Sequence, residues 1–194
     1  MNQKDCHVNY LNSFSSIPNE IVEELFNISE FKTIKAGKQI VKENEVPTKV
    51  YMLTSGVVRC YLSSESGKEY NKNFYLPYSF VGPLTSLIDR KPSQFVYETL
   101  LDSEMYEIDY YKFSMLCKKH ESLNILYTKI LESVYRVYEK RLVDLISLDA
   151  KSRYFELCNQ IPNLETLIPQ YHIASYLGIT PVQLSRIRNK IEIY

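Results

Sequence analysis

Between Phe31 and Asp109 the apolar and aromatic residues gather in short runs, at Lys38–Val41, Lys49–Leu53, Val57–Leu62, Asn73–Leu76, Phe95–Leu100 and Glu104–Ile108. Turn formers stand between them, among others Ala36-Gly37, Ser55-Gly56, Ser63–Gly67 and Pro77-Tyr78-Ser79. Short β-branched and aromatic segments at this spacing predict antiparallel strands closed into a sandwich or barrel. Ahead of them, Pro18 and Glu20 precede Ile21, Leu25 and Phe26, a pattern for a short amphipathic helix. Met1–Ser16 reads as a polar leader without a period.

Beyond Asp109 the texture becomes helical. Tyr111–Lys119 predicts a short helix, and His120 to about Leu148 contains neither Gly nor Pro. Its apolar positions predict one helix of roughly 28 residues, about 42 Å long at 1.5 Å per residue. A small β module cannot cover that length, so one side is expected to face the β module and another a second copy of the chain. Leu126, Ile130, Val134 and Val137 are the positions assigned to this dimer helix. A helix resumes from Ala150 to Cys158 after the break at Ser147–Asp149.

The last segment, YHIASYLGITPVQLSRIRNKI, meets the demands of a helix-turn-helix. The corner needs a small residue in the first helix, a residue tolerant of left-handed φ in the turn, and aliphatics at fixed offsets. Ala174, Gly178 and the set Ile173, Leu177, Ile179, Leu184 and Ile187 supply them. Thr180, Pro181 and Gln183 form a capping box with proline at the first helical position. At 100° per residue Leu184, Ile187 and Ile191 face inward, which leaves Val182, Ser185, Arg186 and Asn189 outward with Gln183 on the flank. Arg186 suits guanine, Gln183 or Asn189 adenine, and Val182 a thymine methyl. Tyr171, Thr180, Arg188 and Lys190 suit phosphates.

Charge narrows this reading. Basic and acidic residues number 23 each, so the chain as a whole does not coat nucleic acid by counterion release. Three of the five bases after Ala150 nevertheless fall at Arg186, Arg188 and Lys190. Cys6, Cys60, Cys117 and Cys158 have no metal-ligand spacing, and a reducing cytoplasm without signal peptide or membrane span is expected. No cofactor is expected. An enzyme of the cupin kind would need several histidines in the β region, and Phe31–Asp109 holds none. Tyr70, Tyr75, Tyr78 and Tyr97 of this region read first as surface residues with their hydroxyls in water, with an aromatic-lined pocket as the alternative.

The layout resembles the Crp/Fnr family of bacterial transcription regulators, in the form common in Bacteroidetes. The resemblance is carried by Ala36-Gly37-Lys38, YMLTSGVVRCY, Tyr75-Leu76-Pro77 with Phe80-Val81-Gly82, and YHIASYLGITPVQLSRIR. It implies an α+β chain: an antiparallel cyclic-nucleotide-binding-like β-roll in residues 1–117, a dimerisation helix in 118–149 and a helix-turn-helix in 150–194. It also implies a homodimer acting on a pseudo-palindromic double-stranded DNA site, with a small-molecule effector pocket at Gly82, Thr85, Arg90, Ser93 and Gln94. The family's Gly-Glu pair and Arg-Ser/Thr are replaced by Gly82-Pro83 and Ser93-Gln94, so cyclic AMP is not the expected effector. Asn163–Pro169 is too short for the family's wing hairpins. The alternative is a ligand-sensing module that acts on a protein partner without DNA.

Overall fold

The structure is a computed structural model that describes residues 3–189, with side chains from His7 onward. It opens with helices α1 (Gln3–Phe14) and α2 (Asn19–Asn27). Strands β1 (Ser29–Ile34), β2 (Gln39–Val41), β3 (Lys49–Ser55), β4 (Val58–Ser63), β5 (Glu69–Tyr75) and β6 (Ser79–Val81) follow. Helix α3 (Leu84–Asp89) separates them from β7 (Val96–Thr99) and β8 (Ser103–Asp109). The rest is helical: α4 (Tyr110–Lys119), α5 (Glu121–Ser147), α6 (Ala150–Gln160), α7 (Leu164–Leu167), α8 (Gln170–Leu177) and α9 (Pro181–Asn189).

The strands pair antiparallel in two four-stranded sheets, ordered β1-β8-β3-β6 and β2-β7-β4-β5. Alternate residues of each strand point inward, so Leu53, Val58, Cys60, Val81, Tyr97 and Met105 fill the space between the sheets. Gly56 turns the chain between β3 and β4 at φ +90, and a Cβ there would lie 2.7 Å from the Asp102 carbonyl oxygen. Only glycine fits that position.

Four sequence expectations are corrected here. The stretch read as an aperiodic leader contains α1, whose His7 and Leu11 are buried; its period escaped notice because His7 and Tyr10 count as polar while their rings pack on Tyr78 and Tyr106. Strand β1 begins at Ser29, and β6 begins at Ser79, inside the expected turn. Tyr75 and Tyr97 are buried on the wall of an aromatic cavity, whereas Tyr78, which lines the same cavity, and Tyr70, which does not, are exposed as expected. The fourth correction concerns α5: Leu126 and Ile130 are buried in their own subunit with Leu11, Leu25 and Met52, because α1 and α2 occupy that side, and Val134 packs against the same cluster. Val137 is exposed. A stripe at alternating steps of four and three, Leu131, Tyr135, Tyr138, Leu142 and Leu145, is half-buried at Leu131 and Tyr138 and exposed at the other three, with Val143 and Ile146 exposed beside it.

Helix α8 is seated on the outer face of β5. Phe74 and Val57 of the roll share one apolar cluster with Ile173, Ala174, Leu177 and Leu184, and the Tyr176 ring lies 5.1 Å from Phe74. Polar bonds fix the orientation. Ser175 accepts from the Asn71 amide at 2.9 Å and donates to the Glu69 carbonyl at 2.9 Å. Arg59, with 5% of its side chain exposed, donates to Glu98 at 3.1 and 3.2 Å and pairs with Glu69. It also lies 3.0 Å from Nδ1 of buried His172, which a second donor, the side-chain Nδ2 of Asn71, approaches at 3.3 Å. Two donors converging on one nitrogen require it to be unprotonated. Burial, and next the Arg59 charge, push the His172 pKa down to about 4. From the other side Arg141 stacks 3.5 Å over the Tyr176 ring and donates to its carbonyl at 3.1 Å.

Leu126→Ala is expected to cost about 2–5 kcal/mol in urea denaturation; a loss that changes with protein concentration would instead put Leu126 in a contact between copies. The second expectation concerns pH. Released His172 titrates near 6.5 and docked His172 near 4, so the docking is fully present above pH 6.5 and weakens as pH falls toward 4. His172→Gln should flatten the stability-against-pH curve in that window, by on the order of 2 kcal/mol relative to the parent chain.

Candidate nucleic-acid interface and effector cavity

The corner between α8 and α9 is built as its residue types require. Ala174 and Ile173 are fully buried, and Gly178 ends α8 at φ +70. There the Ile179 amide donates to the Ala174 carbonyl at 3.0 Å and the Gly178 amide to Ser175 at 3.2 Å, the left-handed cap that glycine allows. The capping box is complete: the Thr180 amide donates to Gln183 Oε1 at 2.9 Å and the Gln183 amide to Thr180 Oγ1 at 3.2 Å. Leu184 anchors α9 in the core.

Val182, Ser185, Arg186 and Asn189, at steps of three, one and three, lie on one exposed face of α9. Tyr171 and Thr180 are exposed nearby. Two assigned residues differ from the rest. Gln183 is exposed, but its Oε1 is held by the cap, so an adenine contact through both amide atoms would break the box. Arg188 is half-buried and bonded to Glu165 of α7, which also takes a bond from the Tyr154 hydroxyl. Lys190 and Ile191 lie outside the described residues. Among the described residues no strand follows Asp109, and α7 occupies the segment where a wing hairpin would begin.

The second candidate site is a cavity of about 870 Å3 between the roll, α1, α2 and α5. Rings dominate its wall, including Phe14, Phe26, Tyr75, Phe80, Phe95, Tyr97, Tyr106 and Tyr138. Of the five residues assigned to the effector pocket, Gly82, Thr85 and Gln94 line it. Arg90 and Ser93 do not. Arg90 is exposed and lies over the Tyr111 ring at 5.6 Å; Ser93 is buried, with its hydroxyl turned to the Phe95 backbone at 2.8 Å. Tyr97 donates to the Gly82 carbonyl at 3.0 Å, and the Tyr75 and Tyr138 hydroxyls are 3.4 Å apart. Burial raises the pKa of both Tyr75 and Tyr97 and pushes the thiol of Cys60, between the sheets, up to about 11, so these three groups carry no charge near neutral pH.

Sequence reasoning missed Arg59, Asn71 and His172, which share one seam although far apart in the chain, and Lys72, which lines the cavity. Alternation in β5 could have flagged Asn71 as a polar residue among inward or seam positions. The pairing with His172 had no local signal. Among the described residues no group of His, Cys, Asp or Glu is arranged to hold a metal ion, and no helix is long and apolar enough to cross a membrane.

Residues 31–120 match the cyclic nucleotide-binding domain family. Over 97% of its length the chain is 21% identical to the anaerobic regulatory protein of Haemophilus influenzae, of which it covers 77%. Among solved structures it is similar to the c-di-GMP responsive global regulator CLP of Xanthomonas campestris, with TM-score 0.71 and 15% identity over 91% of this chain and 92% of that one. FixK2 of Bradyrhizobium japonicum gives TM-score 0.71 and 17% identity, over 86% and 85%. The catabolite activator protein of Thermus thermophilus gives 0.57 and 18%, over 94% and 86%. The likeness to these chains is one of fold, and this protein accordingly has the fold seen in Crp/Fnr-type chains, with a cyclic nucleotide-binding-type domain over residues 31–120.

Proposed function

We propose that the protein is a sequence-specific, DNA-binding transcription regulator that works as a homodimer on a pseudo-palindromic site, its roll acting as the sensor. The observation that carries this is the exposed face Val182, Ser185, Arg186 and Asn189 on a helix anchored by Leu184 and capped by Thr180 and Gln183. That face has the width and chemistry a major groove accepts: a fork of donors at Arg186, a carboxamide at Asn189 and an apolar contact at Val182. Tyr171, Thr180 and Lys190 take phosphates. Arg188 acts differently from the rest, holding α9 to α7 through Glu165.

Dimerisation uses the stripe Leu131, Tyr135, Tyr138, Leu142 and Leu145. Its four-three spacing is that of a two-helix seam, and Leu142 and Tyr135 are more than half exposed in the single chain. The sensor has changed its ligand. Among the described residues no arginine lines the cavity, Arg90 lies over Tyr111, and the Ser93 hydroxyl is spent on the backbone, so the arginine fork that grips a cyclic phosphate is missing from its wall.

Selection of bound duplexes from a random pool tests the reading. A two-fold-related consensus is expected; no enriched sequence, with the protein retained by another protein, would favour a module that regulates a partner instead. Arg186→Ala should cost about 1–3 kcal/mol at the preferred site and relax one base position in each half. Leu142→Glu should shift the sedimentation of the protein from dimer to monomer and lower its DNA affinity together, while leaving the fold of each subunit intact.

A further inference from the structure

We propose that the cavity binds a flat, hydrophobic monoanion, in the simplest case an aryl carboxylate, with Lys72 as its charge partner. The proposal rests on reading the roll as the sensor of a regulator. It begins from a break in the sheet. In the β4–β5 ladder Cys60 pairs with Asn73 and Tyr61 with Asn71, so Lys72 is the extra residue of a bulge. A bulge forgoes ladder bonds and redirects the side chain of the inserted residue. Here it sends the Lys72 ammonium over the rings of Phe95 at 4.4 Å and Tyr138 at 5.2 Å, onto the cavity wall. No carboxylate pairs with Lys72 among the described residues, whereas Arg59 of the neighbouring strand β4 holds two.

The rest of the wall selects for shape and polarity. Phe80, Phe95, Tyr75 and Tyr97 offer ring faces and edges to a planar apolar body. The Tyr75 and Tyr138 hydroxyls can bond each other through one proton only, which leaves the other proton for an acceptor such as a carboxylate oxygen. At the rim Asp89 and Lys91, both exposed, carry opposite charges. The wall therefore presents one uncompensated positive charge to a single negative one. The same strand carries the outcome outward: Asn71, next to Lys72, is bonded to Ser175 and His172 of α8. A ligand engaged by Lys72 acts on the strand that seats the helix-turn-helix.

Calorimetry on the full chain with 2-naphthoate and anthracene-9-carboxylate, each beside its neutral amide, tests the assignment. At least one acid should bind about tenfold or more tighter than its amide, the effect of one charge-assisted contact. Lys72→Met should abolish that preference, Lys72→Arg should keep it, and Lys68→Met, over Tyr70 and away from the cavity wall, should leave it unchanged. Equal affinity for acid and amide, binding of neither, or a preference that survives Lys72→Met overturns the proposal. So does cyclic AMP binding more tightly than both acids. DNA binding is measured separately by gel shift without ligand: its loss with acid selectivity intact strikes the regulator reading, and the reverse strikes only the ligand assignment.

Discussion

The guanidinium of Arg59 is taken out of water at the seam between a sheet and a helix from the far end of the chain. Removing such a charge from solvent costs several kcal/mol, and the cost is offset only if its donors find well-placed acceptors. Glu98, Glu69 and the bare nitrogen of His172 supply them. Because those bonds are directional, they do what the apolar patch around Phe74 and Val57 cannot do alone: they admit one orientation of α8, and through Gly178 and the capping box one orientation of α9. The exposed face of α9 is aimed from the roll.

Strand β5 joins the two candidate sites because of its own geometry. Side chains alternate across a strand, so Tyr75 and Asn73 look into the cavity while Phe74 and Asn71 hold α8. The bulge at Lys72 interrupts this alternation at the point where the two faces come closest in sequence. No long relay is needed between cavity and helix-turn-helix, since they are the two sides of one sheet.

Much of this was legible in the sequence where local chemistry dictates structure. The strand runs from Lys49 to Leu62, the long helix and the corner at Ala174 and Gly178 follow from period, propensity and turn demands that act over a few residues. What stayed hidden depended on contacts far apart in the chain. The inward face of α5 was assigned to a partner because nothing in His120–Leu148 reveals that Leu11 and Leu25 cover it. Arg90 was assigned to the effector pocket, but at the left-handed end of α3 it lies over Tyr111 instead. Of the residues assigned to an effector pocket, Gly82, Thr85 and Gln94 line the cavity, while the inward-turned Lys72 escaped, since a bulge leaves no mark in a single sequence.

Helix α1 gives the sensor a boundary of its own. The match to the cyclic nucleotide-binding domain starts at residue 31, yet Tyr10, Leu11 and Phe14 form part of the cavity wall and shield Leu126 and Met52 from water. A fragment trimmed to the familiar outline would keep every strand and lose a wall, leaving bare the inner side of the long helix. In this protein the cavity is enclosed by the roll together with its leading helices, and Tyr10, Leu11 and Phe14 close one side of it.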